Sequence, residues 1–168
     1  IYISADDSYL DEAIRSVESL KEHNPEVQAT LYTDEENLEC DVFDQIITVD
    51  YTIDSMDDSM IKPFMTPYEK NLYLDTDTYV TGNISELFEI LDNYDIAACH
   101  APNRERIMDT PECFGEYNTG VIAYRGSEEA KDVLQKWHEN YDKVRESDVG
   151  KNRDQHPFAR TIFESDID

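Results

Sequence analysis

A chain of 168 residues with 39 Asp and Glu against 14 Lys and Arg carries a net charge of -25, which excludes nucleic acid and an anionic membrane surface as bulk electrostatic partners. The length suits one domain with a real core, and acidic residues are scattered over every segment among plentiful aromatics, so a folded, highly charged surface is expected rather than disorder. Any anionic substrate then needs local shielding.

Sparse lysine with dense Asp and Glu resembles proteins of salt-rich cytoplasm, where screening lengths of roughly 3 Å at about 1 M salt mute self-repulsion. The melting temperature is therefore expected to rise between low and molar salt. Cys40, Cys99 and Cys113 are odd in number and widely spaced, which reads as reduced cytosolic thiols rather than a zinc knuckle or disulfide framework. No run approaches the ~18 to 20 apolar residues of a membrane span and no signal-peptide core is visible. The expected location is cytoplasmic, with any membrane anchor lying outside this sequence. Ile1 in place of an initiator methionine reads as the start of a trimmed piece.

In chain order, Ile1-Tyr2-Ile3-Ser4 is a short strand followed by the polar turn Ala5-Asp6-Asp7-Ser8. Ser8 and Asp11 stand as a helix-capping arrangement ahead of Leu10, Ala13, Ile14, Val17 and Leu20 at helical spacing, and Asn24-Pro25 stops that helix. Ala29 to Tyr32 and Ile46 to Val49 are apolar segments ending in Asp34 and Asp50, and strands alternating with helices predict a mostly parallel sheet. Met60 to Met65 reads as a helix with Pro63 in its first turn, and Lys62 is the cation nearest the acidic strand ends. Ile84, Leu87, Phe88 and Leu91 mark a helix capped by Asn83 or Ser85, then Ile96 to Cys99 a strand. Arg104 to Glu116 has no period and reads as a surface loop near the ligand. Asn118-Thr119-Gly120 reads as a turn opening the strand Val121 to Tyr124. Ser127 starts the longest amphipathic helix, whose Trp137 and Tyr141 read as core, and Asp154 starts a last helix with Phe158, Ile162 and Phe163 inward.

The organising stretch is Asn71 to Val80. Leu72-Tyr73-Leu74 fits a strand covered on both faces, with Tyr79 and Val80 resuming it, and the charge sits where the run stops. In an extended chain, side chains two apart point to one side, so Asp75 and Asp77 can converge on a hard cation while Thr76 acts as a spacer. The bare pattern is weak, since Asp166 and Asp168 repeat it and a solvated strand end is the alternative. In open sheets ligands gather beyond the carboxyl ends of the strands, where Asp6, Asp7, Asp34, Asp50, Asp75 and Asp77 lie.

With these residues in place the chain resembles the GT-A nucleotide-sugar glycosyltransferases, especially the galactosyl- and glucosyltransferases of glycosyltransferase family 8. Four landmarks carry the likeness in order: Ser4-Ala5-Asp6-Asp7-Ser8-Tyr9, Leu72-Tyr73-Leu74-Asp75-Thr76-Asp77, Asn118-Thr119-Gly120-Val121, and Asp154-Gln155. The resemblance implies an α/β, Rossmann-like GT-A fold, a mostly parallel sheet flanked by helices, as one domain over residues 1–168 that lacks a C-terminal segment. It implies a nucleotide-sugar site at Ala5, Asp6, Asp7, Tyr9, Lys62 and Thr76, with Mn2+ or Mg2+ on Asp75 and Asp77 holding the donor diphosphate. It places Asn118 near the donor sugar, and Asp154 and Gln155 on its reacting face. Lys62 departs from the family, which more often has arginine there at a longer spacing, and a surface lysine is its alternative. Turn and capping roles are the alternatives for Asp6, Asp7, Asn118, Asp154 and Gln155.

The family's third metal ligand is a histidine from a C-terminal segment, and none of His23, His100, His138 and His156 stands in that context. No acceptor-binding module is recognisable either. The expected enzyme is a metal-dependent hexosyltransferase taking a UDP-sugar to a hydroxyl of a glycan, lipid-linked or protein acceptor. The family likeness implies retention, with a donor phosphate oxygen helping to deprotonate the acceptor, whereas an inverting relative would use a carboxylate such as Asp154 as general base. Two alternatives stay open: a non-catalytic sugar-nucleotide- or Ca2+-binding module, and a nucleotidyltransferase. The latter would want a glycine-rich phosphate loop near the first strand, where this chain has no glycine.

Overall fold

A computed structural model describes residues 1–4, 7–49, 66, 68–101, 110–111, 113–146 and 154–167, without the side chains of 3, 4, 7, 8 and 142–146. Its elements in chain order are β1 (Tyr2–Ser4), α1 (Asp7–His23), β2 (Thr30–Thr33), β3 (Gln45–Thr48), β4 (Lys70–Leu74), α2 (Ser85–Glu89), β5 (Ile96–His100), β6 (Tyr117–Arg125), α3 (Glu128–Glu146) and α4 (Gln155–Glu164).

β1 pairs with β2 and β2 with β3, all parallel, with Tyr2 opposite Leu31 and Leu31 opposite Ile46. β6 lies between β4 and β5 and runs antiparallel to both, with Leu74 opposite Val121 and Ala98 opposite Ile122. Two bonds join these halves: the Ile1 nitrogen donates to the Leu72 carbonyl at 2.7 Å, and the Leu74 N–H to the Ile1 carbonyl at 3.1 Å. That alternation is the parallel ladder pattern. The sheet therefore reads β3-β2-β1-β4-β6-β5, with β6 alone reversed, which agrees with the expected mostly parallel α/β fold.

Side-chain alternation along the central strands splits the core into two layers. Leu72, Leu74 and Ala123 face α1, where Ala13, Val17 and Leu20 are buried. Ile122 and Tyr124 face α3 and α4, which bury Leu134, Trp137, Tyr141 and Phe158. Trp137 and Tyr141 are core, as their spacing implied. Fully burying a side chain such as Phe158 contributes about 1.5–3 kcal/mol, and Phe158 is 0 % exposed. α3 starts at Ser127, whose Oγ accepts the Ala130 N–H at 3.2 Å, an N-cap that takes up one orphan donor of the first turn.

Four details differ from the sequence reading. Tyr79 and Val80 do not continue the strand: β4 stops at Leu74, Tyr79 is 67 % exposed and Val80 is buried from a loop. Asn118, Thr119 and Gly120 lie inside β6, not in a turn before it, and a register shift opposite Ala98 to His100 accommodates them. The helix from Ile84 is a single short α2 followed by a 3-10 turn, Ile90–Asp92, in which Leu91 is the buried residue. Phe163 is 42 % exposed, resting edge-on against Phe114 at 5.1 Å instead of pointing inward. Among the described residues no helix is long and apolar enough to cross a membrane.

Candidate active site at the β4, β6 and α4 rim

β4 delivers Asp75 one residue past its last paired position, and the antiparallel ladder sets it beside Gly120, whose carbonyl accepts the Asp75 N–H at 2.8 Å. The chain then turns. The Thr78 N–H donates to the Asp75 carbonyl at 3.1 Å and the Thr78 hydroxyl to the same oxygen at 2.8 Å, so Asp75 to Thr78 is a β-turn. The two aspartates are thus presented by a turn, not by extended-strand alternation as the pattern alone implied. They remain neighbours.

Asp75 is half-buried and Asp77 exposed. The Tyr73 hydroxyl, two residues back on the same strand face, donates to Asp75 Oδ1 at 2.8 Å and fixes the carboxylate. Burial pushes the Asp75 carboxyl above its ordinary range, and the charges of Asp154 and Asp77 add to that rise, while the Tyr73 bond opposes it. Three carboxylates therefore share one field at this rim.

Asp154 immediately precedes α4 but does not cap it, since no side-chain bond reaches the helix N-terminus. Its Oδ2 instead accepts the Thr119 hydroxyl at 2.6 Å, and its carbonyl accepts Trp137 Nε1–H at 3.0 Å and the Phe158 N–H at 3.1 Å. Buried Trp137 and Phe158 anchor the backbone while Thr119 aims the carboxylate. Gln155 is the first residue of α4 and half-buried. Next to it, His156 Nε2 stands 3.2 Å from Oε1 of buried Glu116, without hydrogen-bond alignment. Asn118 is half-buried, and its Oδ1 accepts the Gly120 N–H at 3.0 Å, the conformational role weighed as its alternative.

Thr76 is half-buried and donates to Glu12 Oε2 of α1 at 3.1 Å, which ties the acidic turn to that helix. Tyr9 is half-buried in the first turn of α1, and Asp7 is its first residue. Ala5, Asp6 and Lys62, with the helix expected over Met60 to Met65 and the acidic end at Asp50, lie outside the described residues, as does most of the loop from Arg104. Sequence reasoning missed Glu12, Tyr73, Thr119 and Gly120. Tyr73 was legible in principle from its i, i+2 relation to Asp75; the others depend on contacts between distant segments.

A cation would find hard oxygen donors here. Among the described residues no group of three or more His, Cys, Asp or Glu is arranged to hold a metal ion. Two carboxylates plus substrate phosphates is nonetheless a sufficient set for Mg2+-like ions, which seldom use an all-protein cage. Burial first, and then the charges of Asp154 and Asp77, disfavour the ionised Asp75 carboxyl, and a divalent cation would offset both, so Asp75 and Asp77 fit the role.

Away from this rim, a cavity of about 250 Å3 opens near the start of β4, lined by Ile1, Leu20, Lys70, Leu72, Ile84 and Phe88 among others. It carries none of the carboxylates described above.

The strand order with β6 reversed, and an acidic turn where β4 ends beside the start of α4, give this domain the fold of the GT-A glycosyltransferases. No family model matches the chain. In sequence the domain is glycogenin-like: glycogenin-1 of Oryctolagus cuniculus is 30 % identical over 160 residues, taking in 80 % of this chain and 43 % of that protein. The solved glycosyltransferase GlyE of Streptococcus pneumoniae TIGR4 superposes with a TM-score of 0.70 at 19 % identity, covering 98 % of this chain and 43 % of that one. The galactosyltransferase LgtC, solved with donor and acceptor sugar analogs, gives 0.67 at 18 % identity, covering 96 % and 69 %. The chain thus spans less than half the length of glycogenin-1 and GlyE.

Proposed function

We propose that this domain is the donor-binding part of a metal-dependent hexosyltransferase that takes a UDP-sugar to a hydroxyl acceptor with retention at the anomeric carbon. The observation that carries the reading is the acidic rim at the carboxyl end of β4, where the Gly120 carbonyl and the Tyr73 hydroxyl fix Asp75 next to Thr119, which bonds Asp154, the place where open α/β sheets bind ligands. A divalent cation on Asp75 and Asp77 would neutralise the charge building on the departing nucleoside diphosphate. It would also let a chain of net charge -25 accept an anionic donor.

The chain's own groups have distinct tasks in this reading. Tyr73 holds the Asp75 carboxylate in one orientation, and Gly120 leaves room beside it. Asp154, aimed by Thr119, offers negative charge to the positive charge that develops at the anomeric carbon, with Gln155 beside it and Asn118 toward the donor sugar. The first loop and Tyr9 take the nucleoside, and Lys62 the donor phosphates. The acceptor is a glycan, lipid-linked or protein hydroxyl, and the setting is cytoplasmic.

Calorimetric titration with UDP, with and without Mn2+, tests the metal and donor together, and uptake independent of Mn2+ would overturn the reading. Asp154→Asn is expected to lower turnover by about 10²- to 10³-fold, the usual cost of one preorganised electrostatic group, while Mn2+-dependent UDP uptake stays within a few-fold. A variant that loses both together would place Asp154 in metal binding instead.

A second reading is favoured by the two-carboxylate donor set: a sugar-nucleotide- or Ca2+-binding module without turnover. UDP or Ca2+ uptake with no hydrolysis of UDP-glucose or UDP-galactose over hours would select it.

A further inference from the structure

α1 carries polar side chains on the face that should be apolar. Ser16, Ser19 and, just past its end, Asn24 are 0 %, 3 % and 1 % exposed, interleaved with buried Ala13, Val17 and Leu20. Burying a hydroxyl or amide among hydrocarbon costs free energy unless each polar atom is bonded. Here each finds its partner in one segment, the loop that follows the acidic turn.

The pairing runs in register. Thr76 donates to Glu12 at 3.1 Å, Ser16 Oγ lies 2.8 Å from Thr78 Oγ1, the Val80 N–H donates to Ser19 Oγ at 2.9 Å, and Asn24 donates to the Gly82 carbonyl and accepts the Ile84 N–H, both at 2.9 Å. Steps of two along the loop thus meet steps of three to five along the helix. Among the described residues the loop pairs with no strand along this length, and Ser19 and Asn24 bond its Val80 and Ile84 N–H groups and its Gly82 carbonyl instead. Behind Ser16, the Tyr2 hydroxyl stands 3.1 Å away and closes the network onto β1.

We propose that Glu12, Ser16, Ser19 and Asn24 are positioning residues whose ladder to Thr76–Ile84 sets the Asp75–Asp77 turn for a divalent cation and the diphosphate it holds. The role assigned to the turn rests on the function proposed above; the ladder itself does not. Thr78 is the coupling point, because its hydroxyl meets both Ser16 and the Asp75 carbonyl. Thr78→Val keeps the side-chain shape and removes both bonds, whereas Thr78→Ser keeps them.

The test titrates the wild type, Thr78→Val, Thr78→Ser and Ser19→Ala with Mn2+ alone and with Mn2+ plus UDP, and reads amide hydrogen exchange at Thr78 and Val80. Ser127→Ala, which loses the α3 cap, serves as a destabilised control remote from the turn. Expected are roughly 10-fold or greater losses of Mn2+ affinity in Thr78→Val and Ser19→Ala, in the range that partners behind metal ligands command. Thr78→Ser and Ser127→Ala should bind within about 2- to 3-fold of wild type, although Ser127→Ala melts lower. Faster exchange at Thr78 and Val80 should accompany the losses. Unchanged Mn2+ affinity in folded Thr78→Val, or a loss equal to that of Ser127→Ala, would overturn the proposal. If the wild type takes up no Mn2+, the metal reading fails, and exchange decides the ladder: faster exchange in Thr78→Val and Ser19→Ala upholds it, and unchanged exchange removes it.

Discussion

Replacing Asp75 and Asp77 together by Asn is expected to lower Mn2+-dependent hexose transfer or donor hydrolysis by about 10³-fold or more, because in the proposed function each change removes an anionic ligand from the charge-stabilising centre. Retained activity in the double variant would reject the metal role. The single change Asp75→Asn carries a second, opposite effect on the metal-free fold. Burial first, then Asp154 and Asp77, raise the Asp75 carboxyl above its ordinary value, so the folded chain holds that proton more tightly than the unfolded chain. Its stabilising contribution is present at acid pH and is lost as pH rises through the raised value. An uncharged amide escapes that loss and can still accept from Tyr73 Oη–H. Melting temperatures of the two metal-free proteins should therefore converge at the acid end and separate toward neutral pH. A gain of about 2–4 °C for Asp75→Asn would correspond to ~1 kcal/mol in a chain of this size. An offset independent of pH would mean that ionisation of Asp75 is not its source. Added Mn2+ should reverse the order by stabilising wild type alone.

Gly120→Ala is the second substitution with a large expected effect. A methyl at this position would stand 2.7 Å from Asp75 Oδ2 and 3.3 Å from Asn118 Oδ1. Real Cβ atoms do not approach that closely, so something must move. The Asp75 carboxylate cannot swing aside without losing the Tyr73 hydroxyl bond, and Asn118 cannot without releasing the Gly120 N–H. Overpacking of this kind costs about 1–3 kcal/mol, and on the proposed function the displaced carboxylate should weaken Mn2+ affinity by about 10- to 100-fold. Gly82→Ala is the matched control, because a Cβ there meets nothing within 4 Å. A Gly120→Ala protein with wild-type Mn2+ affinity would show that Asp75 holds no metal.

The parts of this molecule that the sequence discloses are those whose signal is local. Apolar runs of Ile, Leu and Tyr ending in Asp announce β1, β2 and β4, and helical spacing with a Ser127 start announces α3. Asp75-Thr76-Asp77 was visible because charge stops an apolar run. The geometry that presents the pair was not, since a β-turn closed by Thr78 leaves the same trace as an extended strand end. Reversal of β6 was also hidden, because an antiparallel and a parallel central strand read alike when both faces are covered. Asp154 illustrates the same limit. Its place before a helix invites a capping role, and only the long-range pairing with Thr119 shows where the carboxylate goes. Ser16 and Ser19 read as interruptions of an apolar stripe, whereas they are bonded to a loop some sixty residues away, with sequence separations of 62 and 61.

The reversed direction of β6 makes the rim depend on register in an unusual way. Thr119 and Gly120 meet Asp154 and Asp75 only because Val121 sits opposite Leu74. A slip of one position would exchange strand faces, turning the threonine hydroxyl away from the helix start and crowding the aspartate with a side chain in place of a hydrogen. Fidelity of backbone pairing in the middle of the sheet is thus itself a condition for the arrangement of carboxylates at its rim, and alterations that lengthen or shorten β6 by a single residue should be tolerated far less well than those in the connections at either end.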